Sequence, residues 1–167
     1  MSVTDNVPAS QIVYSRPNGG RVLIPEAVLA SIAPYIQNSW DKPEAGGVIM
    51  GRYIKDCNDV VVDKITLPMS GDRSSRFSFF RNKKSHQNII DREWKASSFT
   101  CTYLGGWHTH PEPVPSPSFV DKNDWKQKMR QDVFDSDYLF FMIVGTAEIR
   151  LWEGNKHASS ITALNRV

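Results

Sequence analysis

His108-Thr109-His110-Pro111 is followed by Asp121, with ten residues between His110 and the aspartate, and Ser118-Phe119-Val120-Asp121 closes the stretch. Two imidazoles and one carboxylate form a donor set suited to zinc. Catalytic zinc takes three protein ligands and keeps a fourth position open. Such a set points to metal-assisted hydrolysis. Hydrolysis also needs a group that takes a proton from water and returns it to the leaving group. Glu44, Glu112, Glu26 and Glu148 are candidates, and spacing does not choose among them. Glu44 stands out because it enters a glycine-rich apolar segment that reads as a central strand.

The elements around these residues must bring them together. On a strand, side chains at i and i+2 share a face, so His108 and His110 can reach one ion. Pro111 ends that strand, and Pro113, Pro115 and Pro117 stiffen the loop after it. Ser116 is the expected N-cap of the next helix, with Pro117 at its first position. Ser118 and Asp121 then lie at i and i+3 on one face of its start. An isolated H-x-H is usually incidental. Here the gap, Pro111 and the S-x-x-D pattern argue for a site. His86 and His157 lack such company and read as a solvated helix residue and a surface residue.

The rest of the chain supplies the frame. Residues 1–19 read as an arm and turn, and residues 20–167 as one domain. Arg21 to Ile24, Gly46 to Ile54, Val60 to Leu67, Arg76 to Phe80 and Thr100 to Trp107 read as strands. Leu139 to Val144 and Glu148 to Trp152 read as a hairpin. Helices are expected after Pro25, from Asn82 to about Ser97, and from Ser116 to about Gln131. Interspersed helices and strands predict an α/β fold, a mixed sheet flanked by helices.

Composition narrows the class. A chain of 167 residues, 40% hydrophobic and 23% charged, suits one globular domain. A net charge of +2 gives no reason to expect a nucleic-acid partner. The longest apolar run, Tyr138 to Val144, is far short of the roughly 18 residues of a membrane span. Met1 to Gln11 is polar, unlike a secretory signal. Cys57 and Cys101 form no C-x-x-C, which argues against structural zinc or a disulfide framework and for a cytoplasmic setting.

The pattern Glu44, His108-Thr109-His110-Pro111 and Ser118-Phe119-Val120-Asp121 resembles the JAMM (MPN+) family of zinc isopeptidases. Glu44-Ala45-Gly46-Gly47-Val48-Ile49-Met50-Gly51 is similar to that family's E-x-G-G-x-hydrophobic-x-G segment. The resemblance implies that His108, His110 and Asp121 bind one zinc ion, that Glu44 is general base and then acid, and that Ser118 donates to the oxyanion. It also implies the single-domain MPN fold, related to cytidine deaminases. Deaminase chemistry itself is disfavoured, since the chain lacks P-C-x-x-C. Within the family the chain looks most like bacterial proteases of CBASS anti-phage operons. That would make the substrate a cGAS-like nucleotidyltransferase conjugated through its C-terminus. A ubiquitin-like or sulfur-carrier protein is the alternative substrate, and a non-catalytic MPN scaffold the alternative role.

Two other metal chemistries fit less well. Iron oxygenases use two His and one carboxylate, but usually with H-x-D/E and a distant His. TIM-barrel hydrolases with H-x-H typically need about 250 residues.

Residues 72–95 hold seven basic and three acidic side chains, a net +4, together with Phe77, Phe79 and Phe80. The simple expectation is a strand with buried aromatics followed by a solvated helix. The functional one is a docking surface for an extended C-terminal tail, added as a strand to an exposed edge. The tips of this segment and the loop from Glu112 to Pro117 are the candidates. Trp107 and Trp125 either shape the pocket or pack in the core.

Overall fold

A computed structural model describes residues 10–167. Two short strands, β1 (Gln11–Ser15) and β2 (Arg21–Pro25), lead into helix α1 (Glu26–Ile32). Pro25 is its N-cap, and Val28, Leu29 and Ile32 face the core. The helix gives way to a 3-10 turn at Ala33–Tyr35, where Pro34 has no N–H to continue the α ladder. Strands β3 (Gly46–Tyr53) and β4 (Val60–Ile65) follow, then a small separate hairpin of β5 (Arg73–Ser75) and β6 (Ser78–Phe80). Helix α2 (Lys83–Ala96) starts at Asn82, whose side chain caps the Ser85 amide. Strand β7 (Thr102–Thr109), helix α3 (Phe119–Gln131), and strands β8 (Tyr138–Val144), β9 (Ile149–Asn155), β10 (Ser160–Ala163) and β11 (Asn165–Arg166) complete the chain.

The main sheet has the order β10-β9-β8-β7-β3-β4-β2-β1-β11. It is mixed, with β2–β4 and β7–β8 parallel and the other pairs antiparallel. Its α1 face packs Val28, Leu29 and Ile32 against Leu104, Trp107 and Phe140. The opposite face packs Trp125 and Met129 of α3 against Phe141, Ile143 and Trp152. Helix α2 covers Val48 and Met50 through Ile89 and Ile90. Residues 139–144 are buried on both faces, as a strand between two helical layers must be. The α/β reading of the sequence holds.

Several expectations change. Residues 11–15, read as part of an arm, form β1, because Ile12 and Tyr14 alternate inward against β2. Residues 1–9 of that arm lie outside the described residues. The C-terminal strands had no strong sequence signal. β10 pairs with β9 and β11 pairs with β1, with only Leu164 between them. One segment thus pairs along both edges of the sheet, with β9 on one side and β1 on the other. The buried Arg16–Glu153 pair, at 2.7 Å, joins the same two edges. The strand expected at 76–80 is broken by a turn at Arg76 and Phe77. Phe77 is therefore 77% exposed instead of buried.

Candidate metal centre and active site

Strand β7 runs on through His108 and Thr109, two residues further than expected, because both pair with β8 opposite Ile143 and Val144. The His110 amide continues the ladder to the Val144 carbonyl at 2.9 Å. The alternation sends Thr109 to one face and both imidazoles to the other. Trp125 of α3 lies beneath His108, ring centroids 6.4 Å apart. Trp107 points the other way, is 2% exposed, and donates to the Thr66 carbonyl.

Helix α3 begins at Ser118, not Ser116. Ser118 Oγ accepts from the Asp121 amide at 3.1 Å, and Asp121 Oδ2 accepts from the Ser118 amide at 2.9 Å. A cap at Ser116 would place Phe119 at the reciprocal position, where no acceptor exists. This capping box fixes the Asp121 rotamer as well as the helix start. The prolines before it are held by the β8–β9 turn. Arg150 donates to the Pro115 carbonyl, and the Thr146 amide to that of Glu112.

Donor atoms of three residues converge. His108 Nε2 and His110 Nε2 are 3.1 Å apart. Asp121 Oδ1 stands 3.2 Å from His108 Nε2, and Oδ2 stands 3.1 Å from His110 Nε2. Ligands about 2.0–2.1 Å from a tetrahedral zinc ion stand roughly 3.3 Å apart. The triangle fits one face of such an ion. Glu44 also brings a carboxylate oxygen within 4.8 Å of both histidine nitrogens. Asp121 is the closer carboxylate, and Glu44 borders the triangle.

The electrostatics follow from this crowding. Burial raises the Glu44 carboxyl to about 8, with His110 opposing and Asp121 adding to the shift. Burial also lowers His108, against the pull of Asp121. In His110 burial is outweighed by hydrogen bonds to Asp121 and Glu112, and the ring is raised to about 9. Asp121 is lowered despite burial, because both histidines bond to it.

Glu44 is held in place from both sides. Its amide donates to the Ser75 carbonyl of the β5–β6 hairpin at 2.7 Å. The next residue, Ala45, exchanges bonds with Thr109: its amide reaches Thr109 Oγ1 and its carbonyl accepts from the Thr109 amide. The ring of Phe79 lies where a Cβ on Gly46 would sit, so only glycine lets the hairpin approach. The other carboxylate candidates separate. Glu112 bonds to His110 Nδ1 at 2.9 Å, while Glu26 and Glu148 are exposed and outside the cluster.

Residues 25–155 match the family described as prokaryotic homologs of the JAB domain. The chain belongs to that family. The resemblance read from its motifs is borne out. So is the single-domain MPN fold, and with it a metalloprotease type of hydrolase. This JAB chain is 30% identical over 157 residues to the CD-NTase/cGAS isopeptidase of Vibrio cholerae, spanning 94% of this chain and 96% of that one. It is 32% identical over 102 residues to the CD-NTase/cGAS isopeptidase of Pseudomonas aeruginosa, covering 61% and 63% of the two chains. It is 34% identical over 102 residues to a probable metalloprotease of Sinorhizobium fredii, covering 60% and 61%. The solution structure of protein DSY2949 from Desulfitobacterium hafniense shares the fold, with a TM-score of 0.55 and 19% identity over 86% of this chain and 88% of that one.

Sequence reasoning missed other residues of this JAB domain. His86, read as solvated, is 1% exposed and lies between Thr66 Oγ1 (2.6 Å) and both oxygens of Asp72 (3.0 Å). Gln37 is 2% exposed and bonds to Thr109. No local pattern marks either, since all their partners but Lys42 lie 14 or more residues away. His157 is exposed as expected, paired with Asp137. Cys57 and Cys101 are both free. Among the described residues no helix is long and apolar enough to cross a membrane.

Proposed function

We propose that this protein is a zinc-dependent isopeptidase that releases a protein joined through its C-terminus to an amine of a target. The observation that carries this reading is the convergence of His108, His110 and Asp121 at 3.1–3.2 Å with Glu44 alongside. Bound zinc would supply a Lewis acid that makes water nucleophilic at neutral pH.

The chain's own groups account for the remaining steps. Glu44, with a carboxyl raised to about 8, can both take and give a proton near neutrality. It receives the proton of the attacking water as the water oxygen bonds to the carbonyl carbon. It then passes that proton to the amine nitrogen as the C–N bond breaks. Ser118 Oγ uses a lone pair on the Asp121 amide, so its hydroxyl hydrogen stays free to donate to the oxyanion. Its exposure at the helix start leaves that hydrogen reachable.

The names of the relatives from Vibrio cholerae and Pseudomonas aeruginosa support a cGAS-like CD-NTase as the conjugated protein; a cytoplasmic anti-phage setting is part of the proposal. A ubiquitin-like or sulfur-carrier protein is the competing substrate. The β5–β6 hairpin suits an extended tail, because it is a two-stranded sheet of its own beside the site and bonds to the Glu44 amide. The test is to incubate the zinc-loaded protein with a CD-NTase conjugate and, separately, a ubiquitin-like conjugate, and to weigh the products. A CD-NTase freed with its native C-terminal carboxylate supports the reading. Release of the ubiquitin-like protein alone reassigns the substrate, and cleavage of neither removes the proposal.

A further inference from the structure

The Gln37 side chain lies in the core, between the end of the 3-10 turn and Glu44, where an uncharged amide needs a reason to be. Its partners supply one. Oε1 accepts from Thr109 Oγ1 at 2.9 Å. Nε2 donates to the Arg76 carbonyl at 2.9 Å and to the Lys42 carbonyl at 3.2 Å. Thr109 is the residue between the two histidines and is fully buried. Its oxygen also accepts from the Ala45 amide at 2.9 Å. Arg76 is at the turn of the β5–β6 hairpin, and that hairpin accepts the Glu44 amide through Ser75. Lys42 begins the short run of chain that leads to Glu44. One amide therefore meets the histidine strand, the hairpin and the approach to Glu44.

A hydroxyl with one hydrogen has one donor bond to give. Because Thr109 gives it to Gln37, its lone pair is turned toward the Ala45 amide. The same Gln37 uses both amide hydrogens on carbonyls, so its orientation is determined and cannot flip without losing all three bonds. Removing one member leaves buried partners unsatisfied, which makes such networks stiff.

We infer that Gln37 is a positioning residue for the hydrolysis. With Thr109 it fixes the Glu44 backbone against the histidine strand and against the hairpin together. The inference rests on the proposed isopeptidase reading for its kinetic arm only. Phe77 and Phe80 on the hairpin are exposed, so a substrate that docks there presses on the element that holds Glu44. Gln37 gives that load a fixed path to the site.

The experiment uses Gln37→Met, which keeps the volume, Gln37→Glu, which keeps the acceptor but loses both donors, and the pair Thr109→Val and Thr109→Ser. Zinc content, thermal unfolding and amide hydrogen exchange are measured on each, and cleavage of the conjugate beside wild type. Gln37→Met, Gln37→Glu and Thr109→Val should each lower kcat on the order of 10- to 100-fold with KM within about twofold, one zinc still bound. Exchange at Ala45 and at the hairpin amides should rise about 10-fold in the metal-free protein. Thr109→Ser should restore both readouts. The double variant of Gln37→Met and Thr109→Val should lose little more than either alone.

Unchanged exchange at Ala45 and the hairpin in Gln37→Met overturns the inference. So does a kcat loss that only follows the unfolded fraction or lost zinc, or a Thr109→Ser variant as impaired as Thr109→Val. If wild type cleaves no conjugate, the isopeptidase reading fails, while the exchange arm still decides the role of Gln37.

Discussion

Glu112 Oε1 lies 2.9 Å from Nδ1 of His110 and 3.0 Å from the Ser116 amide. A carboxylate can only accept, so Nδ1 must carry a hydrogen, which leaves Nε2 as the nitrogen whose lone pair can serve a metal ion. The site has its tautomer selected by a residue that the sequence offered only as a possible base. Glu112 is held low by His110 and the Ser116 amide, so it stays ionised.

This relationship predicts a metal effect separate from chemistry. Glu112→Ala should weaken zinc affinity by about 10- to 100-fold, the usual cost of losing a carboxylate behind a ligating histidine. Competition with a chelating dye measures it. Glu112→Gln can accept through its amide oxygen and should fall between. An unchanged affinity in Glu112→Ala would mean that His110 keeps its tautomer without help.

Glu44 predicts the opposite pattern. Glu44→Gln should lower kcat by about 10²–10⁴ while zinc binds with unchanged stoichiometry. Cleavage assays beside metal analysis separate the two variants. Normal turnover in Glu44→Gln would remove it from proton transfer, and lost zinc would recast it as a ligand.

The raised Glu44 carboxyl also has a sign in stability. Its folded value of about 8 lies above the ordinary carboxyl near 4.5. Between those values the folded metal-free protein binds the extra proton, so stability falls as pH rises through the window. Glu44→Gln cannot ionise. The metal-free variant should therefore be more stable than wild type at pH 8–9, with the gap closing toward about pH 4. Thermal unfolding across pH in chelator shows it, and a gap independent of pH would contradict the burial of this carboxyl.

How far the chain could be read depended on whether a residue acts through its neighbours or across the fold. The two histidines and Asp121 were legible because strand alternation and a helix start are local rules. Ser118 and Asp121 were expected near this helix start, but the cap fell two residues later, at Ser118 itself, since the reciprocal capping pair belongs to them. Glu44 was not chosen by spacing; the β3–β7 pairing, which sets Gly46 opposite His108, brings it to the histidines, and the hairpin and Thr109 hold it there. Gln37 and His86 carried no signal, as their partners are brought near by the sheet. β10 and β11 were unreadable for a related reason. Each is short and polar, and each exists because a sheet edge needs a partner.

His86 gives a prediction away from the metal. Burial acts to raise Asp72, but the Asn82 and Met69 amides and the His86 ring outweigh it, and its carboxyl is lowered. A lowered carboxyl adds stability above its unfolded value, near 3.9, that is lost as pH falls through the folded value. Asp72→Asn should be less stable than wild type at pH 6–7, by about 1–3 kcal/mol. The difference should shrink below about pH 4. Denaturant unfolding at several pH values tests this, and a constant difference down to pH 3 would show that charge is not what Asp72 contributes.

On the proposed mechanism Ser118 combines a helix-cap role with an oxyanion-donor role, which one substitution confuses and two can separate. Ser118→Ala removes the cap acceptor for the Asp121 amide and the hydroxyl donor together. It should cost about 1 kcal/mol of stability and about 10²–10³ in kcat. Ser118→Asp keeps an acceptor for the amide but, once ionised, has no hydrogen to give. It should retain the melting temperature of wild type and lose at least as much kcat as alanine, since its charge also repels the oxyanion. Ser118→Asn keeps an acceptor and regains donors, so it should recover part of the rate. If Ser118→Asp matched wild type in turnover, the hydroxyl would be a helix cap alone, and the oxyanion would need another donor. Loss of melting temperature in Ser118→Asp equal to that in Ser118→Ala would show instead that the capping geometry tolerates only the shorter side chain, and its kcat would then be read on the folded fraction.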